Sequence, residues 1–174
     1  VVKVIKAKRA HQVERRINQL VKGNAQFCVI SPELTDLAQA LELIRKALGA
    51  PSIYQDIGPF ELGVSTTPPH LDRIGTDPDF TYITATEIRD PQRWHLWDPT
   101  SKMIQDINVR TKALFLKPEN LGKPRVHRAQ KQEILIHVSC KPPSRKKNGR
   151  PVIHSVYHRG TRIPNNFGIV RGRS

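Results

Sequence analysis

The sequence predicts an α+β protein, with N-terminal helices followed by a mostly antiparallel β-sheet that carries a basic hairpin and a basic C-terminal tail. Three observations carry that expectation. Apolar residues recur at spacings of three and four only before Gly49. Beyond it come short β-branched and aromatic runs, broken by Pro, Gly and Asp. The surplus of positive charge sits at the end: residues 107–174 hold sixteen Lys/Arg against only Glu119 and Glu133, which accounts for the whole net charge of +14.

Each element follows from its pattern. Ala10, Val13, Ile17, Leu20 and Val21 form one stripe with Gly23 just past it, which predicts an amphipathic helix whose Arg9, Arg15, Arg16 and Lys22 lie mostly on a solvated face. Residues 27–30 (Phe-Cys-Val-Ile) predict a short buried strand. Ser31-Pro32 supplies an N-cap and a proline for the first turn of a second helix, whose stripe of Leu34, Leu37, Ala38, Leu41, Ile44 and Leu48 ends at Gly49. Strands are expected at 60–66, 80–88, 107–116, 134–140 and 152–158. In the fourth of these, Ile134, Ile136, Val138 and Cys140 alternate with Leu135, His137 and Ser139. Trp94-His95-Leu96-Trp97, set between two Asp-Pro pairs, reads as a packing staple at a sheet edge rather than a base-stacking platform.

A length of 174 residues suits one compact domain or two small ones. The expected divisions are an α/β part at 1–75, a β-rich part with the basic hairpin at 76–158, and a basic tail at 159–174. Cys28 and Cys140 lie far apart without metal-ligand spacing, which points to two buried thiols in an intracellular, reducing compartment. No apolar run approaches the roughly 20 residues of a membrane helix, so no membrane partner is expected. The first residue is Val1 rather than Met, which leaves an organelle presequence open; a mitochondrial or other organellar ribosome is one setting that fits.

Segregated charge of one sign repels itself and suggests a polyanionic partner. Residues 141–151 form a loop stiffened by prolines at each end, with Asn148-Gly149 supplying a turn. Lys141, Arg145, Lys146, Lys147 and Arg150 would sit near its tip, facing phosphate. Arg159, Arg162, Arg171 and Arg173 continue the theme in a tail spaced by Gly, Pro and Asn, with too little apolar surface to fold except against another molecule. The resulting expectation is a non-enzymatic RNA-binding component of a ribosome or similar ribonucleoprotein. Its partners would be rRNA or other structured RNA and neighbouring proteins, with no cofactor and no metal. Aromatics make up only 6% of the chain, so recognition should follow shape and phosphate rather than base sequence.

Two alternatives draw on other residues. His137, His154 and His158 fall on neighbouring predicted strands near Tyr157, Ser139 and Lys141, an assembly that could serve as a metal-independent ribonuclease. His154 and His158 could share zinc only on a helix, against the β-branched character of their segment. Asp77, Asp79 and Glu87 precede Arg89, but Asp79 and Glu87 at opposite ends of one strand would lie roughly 25 Å apart at about 3.3 Å per residue, too far to share a metal. A DNA-binding or packaging protein would use the same basic patch.

Arg16-Ile17-Asn18, Leu37-Ala38-Gln39-Ala40-Leu41, and Pro68-Pro69 with Arg73-Ile74 resemble motifs of the N-terminal domain of bacterial-type translation initiation factor three, over about a third of the chain. The resemblance implies a ribosomal partner. It assigns no site residue.

Overall fold

The structure, a computed structural model, describes residues 2–60, 79–97, 123–140, 144–145, 151–152, 157–159 and 165–173. The protein is α+β, with two helices and a mostly antiparallel multistranded sheet. The strands are β1 (Val4–Ala7), β2 (Phe27–Ile30), β3 (Gln55–Phe60), β4 (Phe80–Glu87), β5 (Gln92–Trp97), β6 (Arg125–Ala129), β7 (Ile134–Cys140), β8 (Ser144–Arg145), β9 (Pro151–Val152), β10 (Tyr157–Arg159) and β11 (Asn165–Arg173); the helices are α1 (Val13–Val21) and α2 (Leu37–Leu48). Six strands pair in the order β1-β2-β7-β4-β11-β3, three in the order β10-β5-β6, and β8 pairs with β9. Among the described strands only β1 and β2 pair in parallel, joined through α1.

Alternation along the strands divides the interior in two. Toward the helices, Cys28, Ile30, Ile83, Ala85, Ile134, Ile136, Val138 and Val170 meet Val13, Ile17 and Leu20 of α1 and Leu37, Leu41 and Ile44 of α2. On the other face Phe27, Val29, Leu135 and Ile88 meet Trp94 and Leu96 of β5 and Ala129 of β6. The three-stranded sheet therefore roofs the β2–β7 part of the side of the main sheet that the helices leave open. The alternation read in residues 134–138 is the observed one. Cys28 is a free thiol, and burial pushes it up to about 12, which leaves it protonated and inert.

Three expectations change. The second helix begins later than Ser31-Pro32, because Asp36 is the better cap: its Oδ1 accepts from the Gln39 backbone N at 2.7 Å, and the Gln39 side chain reaches back to the Asp36 backbone N. The Gly49 stop holds, in the left-handed region at φ 64°. The Trp94–Trp97 cluster lies in β5, the middle strand of its sheet rather than an edge, with both indoles buried and Trp94 Nε1 donating to Gln92 Oε1 at 3.0 Å.

The largest change concerns the tail. Residues 165–173 form β11, an interior strand between β4 and β3. Its glycines, read in sequence as spacers between arginines, flatten the surface on which α2 lies. A Cβ on Gly168 would collide with the Leu41 side chain, and one on Gly172 would stand 2.9 Å from Leu48 Cβ. Asn165 fixes the start of the strand: its amide exchanges two hydrogen bonds with the Gln92 amide, at 2.9 and 3.0 Å, and its Oδ1 accepts from the Arg89 backbone N at 3.1 Å. The segment folds with too little apolar surface of its own because its partners supply it. The six-stranded sheet thus takes strands from all three divisions of the sequence. Predicted strand 107–116 and residues 61–66 lie outside the described residues.

Candidate nucleic-acid interface

On the outer surface of the three-stranded sheet two arginines meet with no counter-charge among the described residues. In β5, Gln92, Trp94 and Leu96 are buried, so alternation turns Arg93 and His95 outward. In β6, Ala129 is buried and His127 is nearly so, which turns Val126 and Arg128 outward. The register then places Arg93 directly opposite Arg128 and His95 directly opposite Val126. Both arginines are exposed, and neither makes a hydrogen bond or ion pair with the other described residues. Directly opposed residues of an antiparallel pair have Cβ atoms about 4.5–5.5 Å apart, and like charges there oppose folding. Val126 beside them is 46% exposed. The third strand brings Arg159 into the ladder opposite His95.

Among the described residues, one acid of the basic segment is turned away from this surface. Glu133, one of only two in the basic half, is buried beneath the sheet, its Oε1 2.7 Å from His127 Nε2. Three arginines are also committed internally. Arg16 donates to the Lys6 carbonyl and Gln19, Arg45 pairs with Glu42 and donates to the Ala50 carbonyl, and Arg125 donates to the Val2 carbonyl. The Arg45 guanidinium holds the Glu42 carboxyl below its ordinary range.

Of the site residues expected from sequence, Arg145 lies in β8 opposite Pro151, in a two-residue ladder that brackets residues 146–150. Lys141, Lys146, Lys147, Arg150 and Arg162 lie outside the described residues. Arg171 and Arg173 belong to β11, a strand paired on both sides. The Arg171 guanidinium lies over two rings, 4.7 Å from the centroid of Tyr54 and 4.6 Å from that of Phe80, while Arg173 is exposed. Sequence reading missed Arg93, Arg128 and Tyr54. The alternation Arg93-x-His95 was available as a signal, but Arg128 is found only through the register of β5 against β6.

Of the three histidines expected on neighbouring strands, His137 and His158 lie in different sheets. His137 is 2% exposed on β7, stacked on Phe27 at 6.4 Å and close to Trp94 at 6.2 Å. His158 lies in β10 of the other sheet, opposite Leu96, and His154 is outside the described residues. Among the described residues no three His, Cys, Asp or Glu side chains gather as metal ligands, and no helix is long and apolar enough to cross a membrane.

No protein-family model and no curated relative matches the chain. Of the residues that resemble the initiation-factor domain, 16–18 lie in α1 and 37–41 in α2, whereas 68–74 fall outside the described residues.

Proposed function

We propose that the protein is a non-enzymatic RNA-binding component of a ribonucleoprotein particle, holding phosphate with the outer face of the β10-β5-β6 sheet together with the basic loop around residues 141–151. The observation that carries this reading is the Arg93–Arg128 pair. Two exposed guanidinium groups directly opposite each other work against the fold, and a phosphodiester between them turns repulsion into two charge-assisted contacts. The charge segregation supports it: the half of the chain that supplies β6, β10 and the loop holds the entire net charge. A setting in an organellar or other ribosome, with rRNA as the ligand and neighbouring proteins against the electrically balanced N-terminal half, fits this distribution.

Binding to structured RNA should weaken steeply with salt and show little sequence preference. The test is a titration of wild type and of the quadruple variant Arg145→Ala, Lys146→Ala, Lys147→Ala, Arg150→Ala from low to high salt. The reading requires a steep slope for wild type and a shallower one for the variant. Equal affinity at all salt concentrations, or equal slopes for the two proteins, contradicts it. Competition with duplex DNA at matched salt distinguishes RNA from DNA as the ligand.

A further inference from the structure

A second cationic cluster sits on the six-stranded sheet itself, away from the paired arginines of the smaller sheet. Tyr54 immediately precedes β3, and its backbone N donates to the Ile169 carbonyl of β11 at 3.0 Å. On the neighbouring strands, Arg171 is opposite Tyr82 and Arg173 is opposite Phe80. Gly168, Val170 and Gly172 turn toward α2, so Arg171 and Arg173 occupy the face away from the helices. The Arg171 guanidinium lies over the rings of both Tyr54 and Phe80, and Tyr82 and Tyr54 make a T-shaped contact at 5.5 Å and 84°. Tyr54 nevertheless stays 52% exposed.

This arrangement is unusual for a ring that serves only to pack. Tyr54 and Val126 are the exposed large hydrophobic side chains among the described residues, and each lies beside arginines. The Tyr54 ring is held by its backbone bond, by the cation and by the Tyr82 edge, so little freedom is lost when something stacks on it. Stacking over the rings leaves Arg171 its in-plane N–H groups for hydrogen bonding, and Arg173 follows two residues on, about 7 Å along the strand. A half-exposed ring capped on one face by a guanidinium, with a second guanidinium along the strand, matches a nucleotide: a flat base joined to phosphate. It matches a lipid or a purely acidic peptide poorly, because neither supplies both.

We propose that Tyr54, braced by Arg171, is a stacking site for one unpaired nucleobase of the bound RNA, with Arg171 and Arg173 facing the adjoining phosphates. It rests on the RNA-binding reading and adds to it a preference for single-stranded segments, which the low aromatic content did not suggest. Base–aromatic stacking accepts any base, so the site selects unpaired over paired RNA rather than one sequence over another.

The experiment compares wild type, Tyr54→Phe, Tyr54→Leu and Tyr54→Ala for binding to single-stranded RNA with a central 2-aminopurine and to duplex RNA of equal length, with thermal melting as a check on folding. Tyr54→Ala and Tyr54→Leu should weaken single-strand binding roughly 5- to 150-fold and abolish quenching of the 2-aminopurine, with duplex affinity unchanged. Tyr54→Phe should stay within about twofold of wild type, as stacking needs only the ring. If Tyr54→Leu, folded, binds single strands as wild type does, the stacking site is wrong and the RNA-binding reading stands. If wild type binds neither RNA, both are wrong.

Discussion

Replacing Gly168 by Ala should damage the fold although it adds one methyl group. The new Cβ would lie 2.9 Å from Leu41 Cδ2 and closer still to its other methyl. Leu41 is fully buried in the middle of α2 and belongs to the same core cluster as Ile44, Ile83 and Val170, so its methyl groups can move aside only by displacing packed neighbours. Overpacking of this kind typically costs about 1–3 kcal/mol, and in a chain of this size each kcal/mol lowers Tm by about 2–4 °C. A fall of roughly 2–12 °C in a thermal melt followed by circular dichroism is therefore expected. The cause is separable by a double-mutant cycle. In a Leu41→Ala background, itself destabilised by about 2–5 kcal/mol, the added methyl group has room and Gly168→Ala should cost little. If Gly168→Ala is neutral, or if its cost is the same with and without Leu41, then β11 does not lie against α2. The C-terminal segment would then be the tail that its composition suggests.

Two further outcomes follow from single groups. Cys28 has its folded value raised to about 12, above the ordinary thiol value, so the unfolded chain loses this proton first as pH rises; between pH 9 and 12 stability should fall by about 1.4 kcal/mol per pH unit from this group, and wild type minus Cys28→Ala in urea unfolding isolates it, an unchanged difference across that range counting against a buried thiol. Asp36→Ala removes the cap of α2, and a loss of about 1 kcal/mol in the same assay is expected, whereas Ser31→Ala at the cap position suggested by sequence should have little effect.

The helices were legible because their stripes are long: Val13, Ile17 and Leu20, then Leu37, Leu41 and Ile44, are buried as the spacing requires. The alternation of residues 134–138 was legible for the same reason. β1 and β6 were not, since Val4–Ala7 is four residues long with a lysine inside it, and Arg125–Ala129 carries two arginines and a histidine; neither shows an apolar run. β11 was misread because its glycines answer to α2, a partner more than a hundred residues away, and composition reports only what a segment contributes itself. The candidate site shows the same division. Total charge raised the expectation of a polyanionic partner from sequence, but the opposition of Arg93 and Arg128 exists only once β5 and β6 are in register. The stacked Arg171 likewise needed three strands to be assembled around it.

The most direct measurement follows stability and RNA affinity together in Arg93→Gln, Arg128→Gln and the double variant. Residues kept for a ligand at the expense of the fold should move the two quantities in opposite directions. Relief of like-charge opposition should raise Tm by about 1–3 °C, while affinity for structured RNA falls and the salt slope of the double variant drops by about one to two units. Melting temperature that falls together with affinity would make the pair a structural feature, and affinity that does not change would remove this face of the protein from the interface.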